Sequence, residues 1–198
     1  MSDWFSYRLG DFLMYSPRTY YRLVELYNAA LWPLHAAAFA LGIAIVGLCF
    51  YQQRAAMRIM VGLLSICWFW VAGAFLYARY ASIHWAGSYM AALFMIEAML
   101  LLVAAFWQND RIISRRSGMA ATTGVALVIF AVLILPLAGP LANRPWSQVE
   151  LFGLTPDATA LATVGALVLA GRRELVAAFI IPVAWCLYSA ATHWTMGV

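Results

Sequence analysis

The sequence predicts an all-α membrane protein, built as a six-helix transmembrane bundle with an N-terminal interfacial amphipathic helix. Of its 198 residues, 66% are hydrophobic and 10% are charged, whereas about a quarter of the residues in a soluble domain are charged. This composition leaves too little polar surface for a water-soluble globule, and it excludes a soluble enzyme. Long apolar stretches, separated by short polar loops, are the second observation behind the predicted fold.

Six windows are long and apolar enough, or nearly so, to cross a bilayer, which takes about 20 residues per helix. The backbone in lipid must satisfy its own hydrogen bonds, and no window alternates as a β-barrel strand does. We therefore expect helical spans at about 31–51, 57–78, 84–107, 118–137, 156–170 and 175–193. Residues 1–198 then form a single integral membrane domain.

Arginines in the short loops predict the orientation of the bundle. The first, third and fifth loops carry seven arginines, whereas the second and fourth carry only Arg79 and Arg144. Because positively charged loops stay in the cytoplasm, both termini are expected to be periplasmic. In a membrane protein, the arginines behind the net charge of +4 orient the helices and contact anionic lipid headgroups. The charge is therefore no indication of nucleic-acid binding.

Residues 1–30 are expected to lie on the membrane rather than cross it. Ser16 before Pro17 is a typical helix start, with serine as the N-cap and proline in the first helical position. The helix then carries an apolar stripe, formed by Tyr20, Leu23, Val24 and Tyr27. Trp32-Pro33 predicts a bend into the first span. A single long kinked helix is the alternative.

The fifth window is short, since 15 residues make only about 22 Å of helix. Thr155, Pro156 and Asp157 predict a threonine cap, a first-turn proline and an acid at the positive helix end. Threonines and alanines repeat every four residues along one face, which predicts close packing in the bundle centre. Short helices also build transporter sites, whereas the simpler alternative is a short span extended by an interfacial helix.

Glu97 lies about halfway along the third span, where an acid costs about 2.5–3.5 kcal/mol to insert. The side chain is therefore expected to face protein or water and to be neutral much of the time. A protonatable carboxyl at this depth suits a proton-coupled carrier or an ion site. The alternative is a structural hydrogen bond between two helices.

Three histidines fall at one depth once the orientation is applied. His35 begins the first span, His84 opens the third, His193 closes the sixth, and Asp157 lies at the same outer level. Imidazoles on separate helices can hold a transition metal or a haem. Neighbouring tryptophans support the alternative, an aromatic belt at the membrane surface.

The sequence is compatible with three functions. A small permease or channel for an unidentified solute or ion would use Glu97 and the short fifth helix. An accessory or assembly subunit would dock its helices on a membrane-protein partner or a second copy. A metal- or haem-handling protein would use the histidines. No catalytic motif is present, so we do not expect an enzyme, and no cofactor is indicated.

Two stretches carry a family resemblance. DFLMYSPRTYYRLVELYNAALWP at 11–33 and ELFGLTPDATALATVGALVLA at 150–170 resemble an uncharacterised bacterial multi-pass membrane family, catalogued as a domain of unknown function. The resemblance extends over nearly the whole chain. It implies a bacterial inner membrane as the location, and it brings no catalytic residue and no substrate.

Overall fold

The computed structural model describes residues 15–51, 53–106, 118–171 and 176–196, and every regular element in these ranges is a helix. The all-α prediction is therefore confirmed for this part of the chain. The α-helices are α1 (Pro17–Leu31), α2 (Leu34–Leu48), α3 (Arg54–Trp70), α4 (Gly87–Phe106), α5 (Met119–Ile129), α6 (Ala138–Leu141), α7 (Pro156–Ala170) and α8 (Ala177–Met196).

Two helices change pitch near the same end of the bundle. α3 continues into a π-helix, Val71–Tyr77, and α5 continues into another, Phe130–Ile134. Short 3₁₀ turns follow at Tyr80–Ser82 and Leu135–Leu137. Since π segments are rare and concentrate near functional sites, this end is the one to search for function.

Four helical stretches are long and apolar enough to cross a bilayer: Arg54–Ser82, Gly87–Phe106, Met119–Leu141 and Ala177–Met196. α1 and α2 pass the same test only as a pair, and their axes differ by 96°. α7 is apolar but has 15 residues, as the sequence predicts. The described residues therefore support four spans, or five with the bent pair, instead of six of full length.

The apolar stripe of α1 faces protein. Ser16 caps the helix by accepting from the backbone N–H of Thr19, as predicted, and the stripe residues Tyr20, Leu23, Val24 and Tyr27 are all buried. The hydroxyl of Tyr27 donates to the carbonyl of Leu154 at 3.0 Å. The stripe thus packs against the segment that precedes α7. The location of α1 on the membrane surface stays a prediction. The sharp turn between α1 and α2 confirms the bend predicted at Trp32-Pro33.

α7 occupies the centre of the bundle, as the small-residue face predicts. It packs against α3, α5 and α8, and eleven of its residues are buried. Thr163 accepts a hydrogen bond from the indole N–H of Trp68 on α3 at 2.8 Å, and so bonds across helices. The predicted side-chain cap by Thr155 is wrong, because its hydroxyl donates back to the carbonyl of Leu151 at 3.0 Å.

Two glycines allow α5 and α7 to touch. A Cβ built on Gly124 lies 2.7 Å from the carbonyl oxygen of Gly165, and one built on Gly165 lies 2.8 Å from that of Gly124. Neither distance leaves room for a methyl group without moving a helix backbone. The central position of α7 therefore depends on both glycines.

We predict that Gly124→Ala lowers the stability of the protein by about 1–3 kcal/mol, because the added methyl forces two backbones apart. Gly47→Ala is the matched control, since no atom lies within 4 Å of a Cβ at that position in α2. Thermal unfolding of the detergent-purified chain measures both. Equal unfolding temperatures for the two variants would show that the glycine contact does not set the packing.

Candidate functional site

A polar cluster forms where the first turn of α7 faces α8. Asp157 accepts hydrogen bonds from the indole N–H of Trp185 and the hydroxyl of Ser189, each at 2.7 Å. The Nε2 atom of His193 lies 3.3 Å from the same carboxylate. The three partners recur every four residues and so share one face of α8. The Asp157 side chain is 13% exposed, and it has exchanged most of its water for protein partners.

The loop between α6 and α7 brings Glu150 to this cluster. Asn28 on α1 donates from its side-chain amide to the carbonyls of Ser147 and Val149, each at 2.9 Å. The next residue along the loop is Glu150, and its Oε1 atom accepts a hydrogen bond from the hydroxyl of Tyr20 at 2.5 Å. α1 therefore fixes both the backbone and the side chain on which the site depends.

Glu150 is surrounded by groups of both charges. Burial, followed by the nearby Asp157 carboxylate, raises the pKa of Glu150 to about 7. The Tyr20 hydrogen bond and the charges of His193 and Arg144 act in the opposite direction. Burial beside a second carboxylate therefore makes Glu150 easier to protonate than a glutamate in water.

Arg144 adds a positive charge at the same end. Its guanidinium lies 4.1 Å from the centre of the Tyr21 ring, and its backbone N–H donates to Gly139 at 2.9 Å. Among the described residues, its buried Nε and Nη1 atoms have no hydrogen-bond partner. The aromatic face of Tyr21 is thus its principal stabilising contact in this part of the chain.

These groups line a cavity of about 440 Å³, which falls within the range of about 300–1,000 Å³ typical of small-molecule sites. The polar part of the wall is Arg144, Glu150, Asp157, Ser189 and His193. The remaining wall is largely apolar and is formed by Leu135, Ala138, Ala142, Leu161, Cys186 and Ala190. A few convergent polar groups on an apolar wall are the usual composition of a ligand site.

The cavity wall also contains a potential metal-ligand set. One atom each from Glu150, Asp157 and His193 all lie within 4.8 Å of one another. Two carboxylates and one imidazole are donors suited to a divalent transition metal.

The three residue types of a hydrolase triad meet here in the wrong order. In a triad the serine hydroxyl bonds the histidine, and the aspartate orients that histidine from behind. Here Asp157 lies between the other two, and Ser189 donates directly to the carboxylate. The arrangement holds Asp157 in place and does not activate Ser189 as a nucleophile.

A chain of tyrosine hydroxyls borders the cluster. The hydroxyl of Tyr80 lies 2.7 Å from that of Tyr15 and 2.8 Å from that of Tyr188 on α8. The ring of His84 stacks on Tyr80, with centroids 5.4 Å apart. Burial lowers the pKa of His84, so this imidazole is neutral at physiological pH.

Of the four outer-level residues expected from the sequence, the structure brings together His193 and Asp157. His84 is held in the tyrosine stack, and the Nε2 atom of His35 lies 3.3 Å from the side-chain oxygen of Asn28. Aromatic packing and a local hydrogen bond therefore account for His35 and His84.

Glu97 is fully buried on α4, as expected for an acid inside a span. Neither of its carboxylate oxygens has a hydrogen-bond partner among the described residues. The interhelical hydrogen bond that was the structural alternative is thus not formed there. Since an isolated charge is very costly in such surroundings, the side chain is the neutral acid.

Sequence reasoning missed Glu150, Arg144, Trp185 and Ser189. The four-residue spacing of Trp185, Ser189 and His193 was a usable signal, since it places three donors on one helix face. Glu150 gave no such signal, because its partner Tyr20 is 130 positions away in the chain.

A protein-family model matches residues 18–198, and its description is a family of unknown function, DUF6064. The chain belongs to DUF6064. No curated protein and no solved structure matches the chain. Membership in DUF6064 confirms the resemblance seen in the sequence, and the function of this DUF6064 protein has to be argued from its site.

We predict that Asp157→Ala destabilises the DUF6064 protein by about 2–5 kcal/mol, because it leaves the Trp185 and Ser189 donors unpaired beside His193. The control is Glu25→Ala, which removes an exposed ion pair with Arg22 and should cost at most about 1 kcal/mol. Unfolding temperatures in detergent compare the two. A small effect at Asp157 would mean that water replaces the lost carboxylate.

Proposed function

We propose that this DUF6064 protein is a multi-pass inner-membrane protein that acts as a small permease or channel for a small solute or ion. The observation that carries the proposal is the 440 Å³ cavity lined by Arg144, Glu150, Asp157 and His193. Bringing four ionisable side chains together at the end of an apolar bundle costs free energy. A bound polar solute offsets that cost by pairing with them.

The predicted orientation assigns this cavity to the periplasmic side of a bacterial inner membrane. The ends of α3 and α8 and the start of α7 meet there, through Tyr80, Tyr188 and Asp157. In the sequence, the arginine-rich first loop precedes α3 and the arginine-rich fifth loop joins the end of α7 to the start of α8, so both adjoin the opposite ends of these helices. A solute would thus enter from the periplasm.

Glu97 supplies the second element of the proposal. It is a neutral acid in the middle of α4, and it is not among the residues that line the 440 Å³ cavity. A buried carboxyl without a bonding partner is costly to retain for packing alone. We assign it the role of the group that takes up and releases a proton during transport.

The other candidate roles receive less support. Ser189 donates to Asp157 and does not contact His193, so no activated nucleophile supports a hydrolytic role for this cluster. Exposed apolar side chains on α4 and α8, such as Ile96 and Leu187, suit lipid. The same faces suit a second copy or a membrane-protein partner, as an accessory subunit would need.

We predict that Ala190→Trp abolishes solute binding, because the indole fills the cavity that Ala190 lines. Ala191→Trp is the matched control, since the neighbouring residue is exposed and is not part of that wall. Amino acids, carboxylates, polyamines and divalent ions are screened for those that raise the unfolding temperature, and the hits are tested for uptake in proteoliposomes. The proposal fails if no compound binds, or if the Ala190 variant binds as the wild type does.

We predict that Glu97→Gln leaves folding intact and removes the pH dependence of uptake. Glutamine has the same size, and no hydrogen bond of the carboxylate is lost among the described residues. Uptake is measured in proteoliposomes across a pH series, with the unfolding temperature as the folding control. An unchanged pH profile in the Gln variant would show that Glu97 carries no proton.

A further inference from the structure

Three metal-ligating side chains converge on the cavity wall from separate parts of the chain. Glu150 comes from the loop before α7, Asp157 from the first turn of α7, and His193 from the last turns of α8. We propose that these three residues bind one divalent transition-metal ion. This inference rests on the proposed function, because it names the class of ion that the cavity admits.

The distances suit a shared ion. Oxygen and nitrogen ligands lie about 2.0–2.2 Å from zinc, so two ligand atoms on one tetrahedral ion are about 3.3–3.6 Å apart. The three ligand atoms lie within 4.8 Å of one another before any ion is added. The ligand atoms would have to approach one another by up to about 1 Å to share one ion.

An ion pair between His193 and Asp157 explains only part of the cluster. It does not explain why a second carboxylate, that of Glu150, is held beside the first. Whenever Glu150 is ionised, the two carboxylates repel each other where water is scarce. A divalent cation between the two carboxylates removes the repulsion and uses both as ligands.

The surroundings already orient the ligands. Trp185 and Ser189 hold Asp157 with hydrogen bonds of 2.7 Å, and Tyr20 holds Glu150 from the opposite side. Metal sites depend on such outer hydrogen bonds, which fix the direction of each ligating carboxylate. The cluster thus has the support that a preformed metal site requires.

The donor set selects the class of ion. One imidazole nitrogen with carboxylate oxygens suits Zn²⁺, Mn²⁺, Fe²⁺ or Co²⁺, whereas Ca²⁺ and Mg²⁺ favour oxygen ligands alone and Cu⁺ favours sulfur. Three protein ligands leave at least one position for water or for an exchanging ligand. All three residues line the cavity, so an ion can reach them from there.

Arg144 provides a further test, because its positive charge affects a bound cation and a bound anion in opposite directions. Its charge lies on the same cavity wall and opposes a bound cation. Arg144→Gln should therefore tighten the binding of a metal ion. The same variant should weaken the binding of an anionic or zwitterionic solute, which would pair with the guanidinium.

The test uses the full chain, purified in detergent and stripped with a chelator, and titrates it with Co²⁺ and Zn²⁺. We expect one ion per chain, visible absorption bands of low-coordinate Co²⁺, and at least tenfold weaker binding by Glu150→Gln and by His193→Gln. Glu25→Gln is the control and should bind as the wild type does, because Glu25 forms only an exposed ion pair with Arg22. Wild-type protein without stoichiometric binding, or ligand variants that bind normally, would overturn the site.

Two further measurements complete the test. If both ligand variants fail to fold, X-ray absorption of Co²⁺ in the wild type decides, since the multiple scattering of one imidazole ring is expected and its absence contradicts the site. Flux of Mn²⁺ into proteoliposomes separates the two proposals. Metal binding without uptake of Mn²⁺ or of any screened solute removes the permease and keeps the metal site, whereas uptake of another solute without metal binding removes the metal site and keeps the permease.

Discussion

The close contact between α5 and α7 is the constraint on which the rest of the structure depends. Gly124 and Gly165 let the two backbones approach to a distance that no Cβ tolerates. This contact admits α7 to the centre of the bundle, although the helix is too short to span a bilayer comfortably. Its first turn therefore lies inside the protein, and Asp157 reaches the cavity wall, where side chains of α8 supply its hydrogen bonds.

Satisfying Asp157 explains why polar groups concentrate at one end of the bundle. The carboxylate takes its partners from one face of α8, and the loop before α7 must run back over the same end. α1 holds that loop through Asn28 and Tyr20. The sharp bend between α1 and α2 allows α1 to lie across the bundle end. The cavity is thus a consequence of where α7 begins.

The sequence was sufficient for features that depend on local pattern. Hydropathy located the helices, Ser16 and Pro17 marked the start of α1, and the repeated small residues placed α7 in the centre. Features set by distant contacts could not be read in this way. The Thr155 hydroxyl donates to the carbonyl of Leu151 in the preceding turn instead of capping α7. Glu150 is held at the site by a hydrogen bond from Tyr20, which is far away in the sequence. Glu150 was therefore beyond prediction from a single sequence, whereas the spacing of Ser189 and His193 on α8 was a readable signal.

Trp185 connects the two polar features of the protein. Its ring packs edge-on against Phe94 of α4, with centroids 4.9 Å apart, while its N–H donates to Asp157. Phe94 lies one helical turn from Glu97 on the same helix. Trp185 therefore contacts both the helix that carries Glu97 and a carboxylate of the cavity wall, so a single side chain lies between the two polar features.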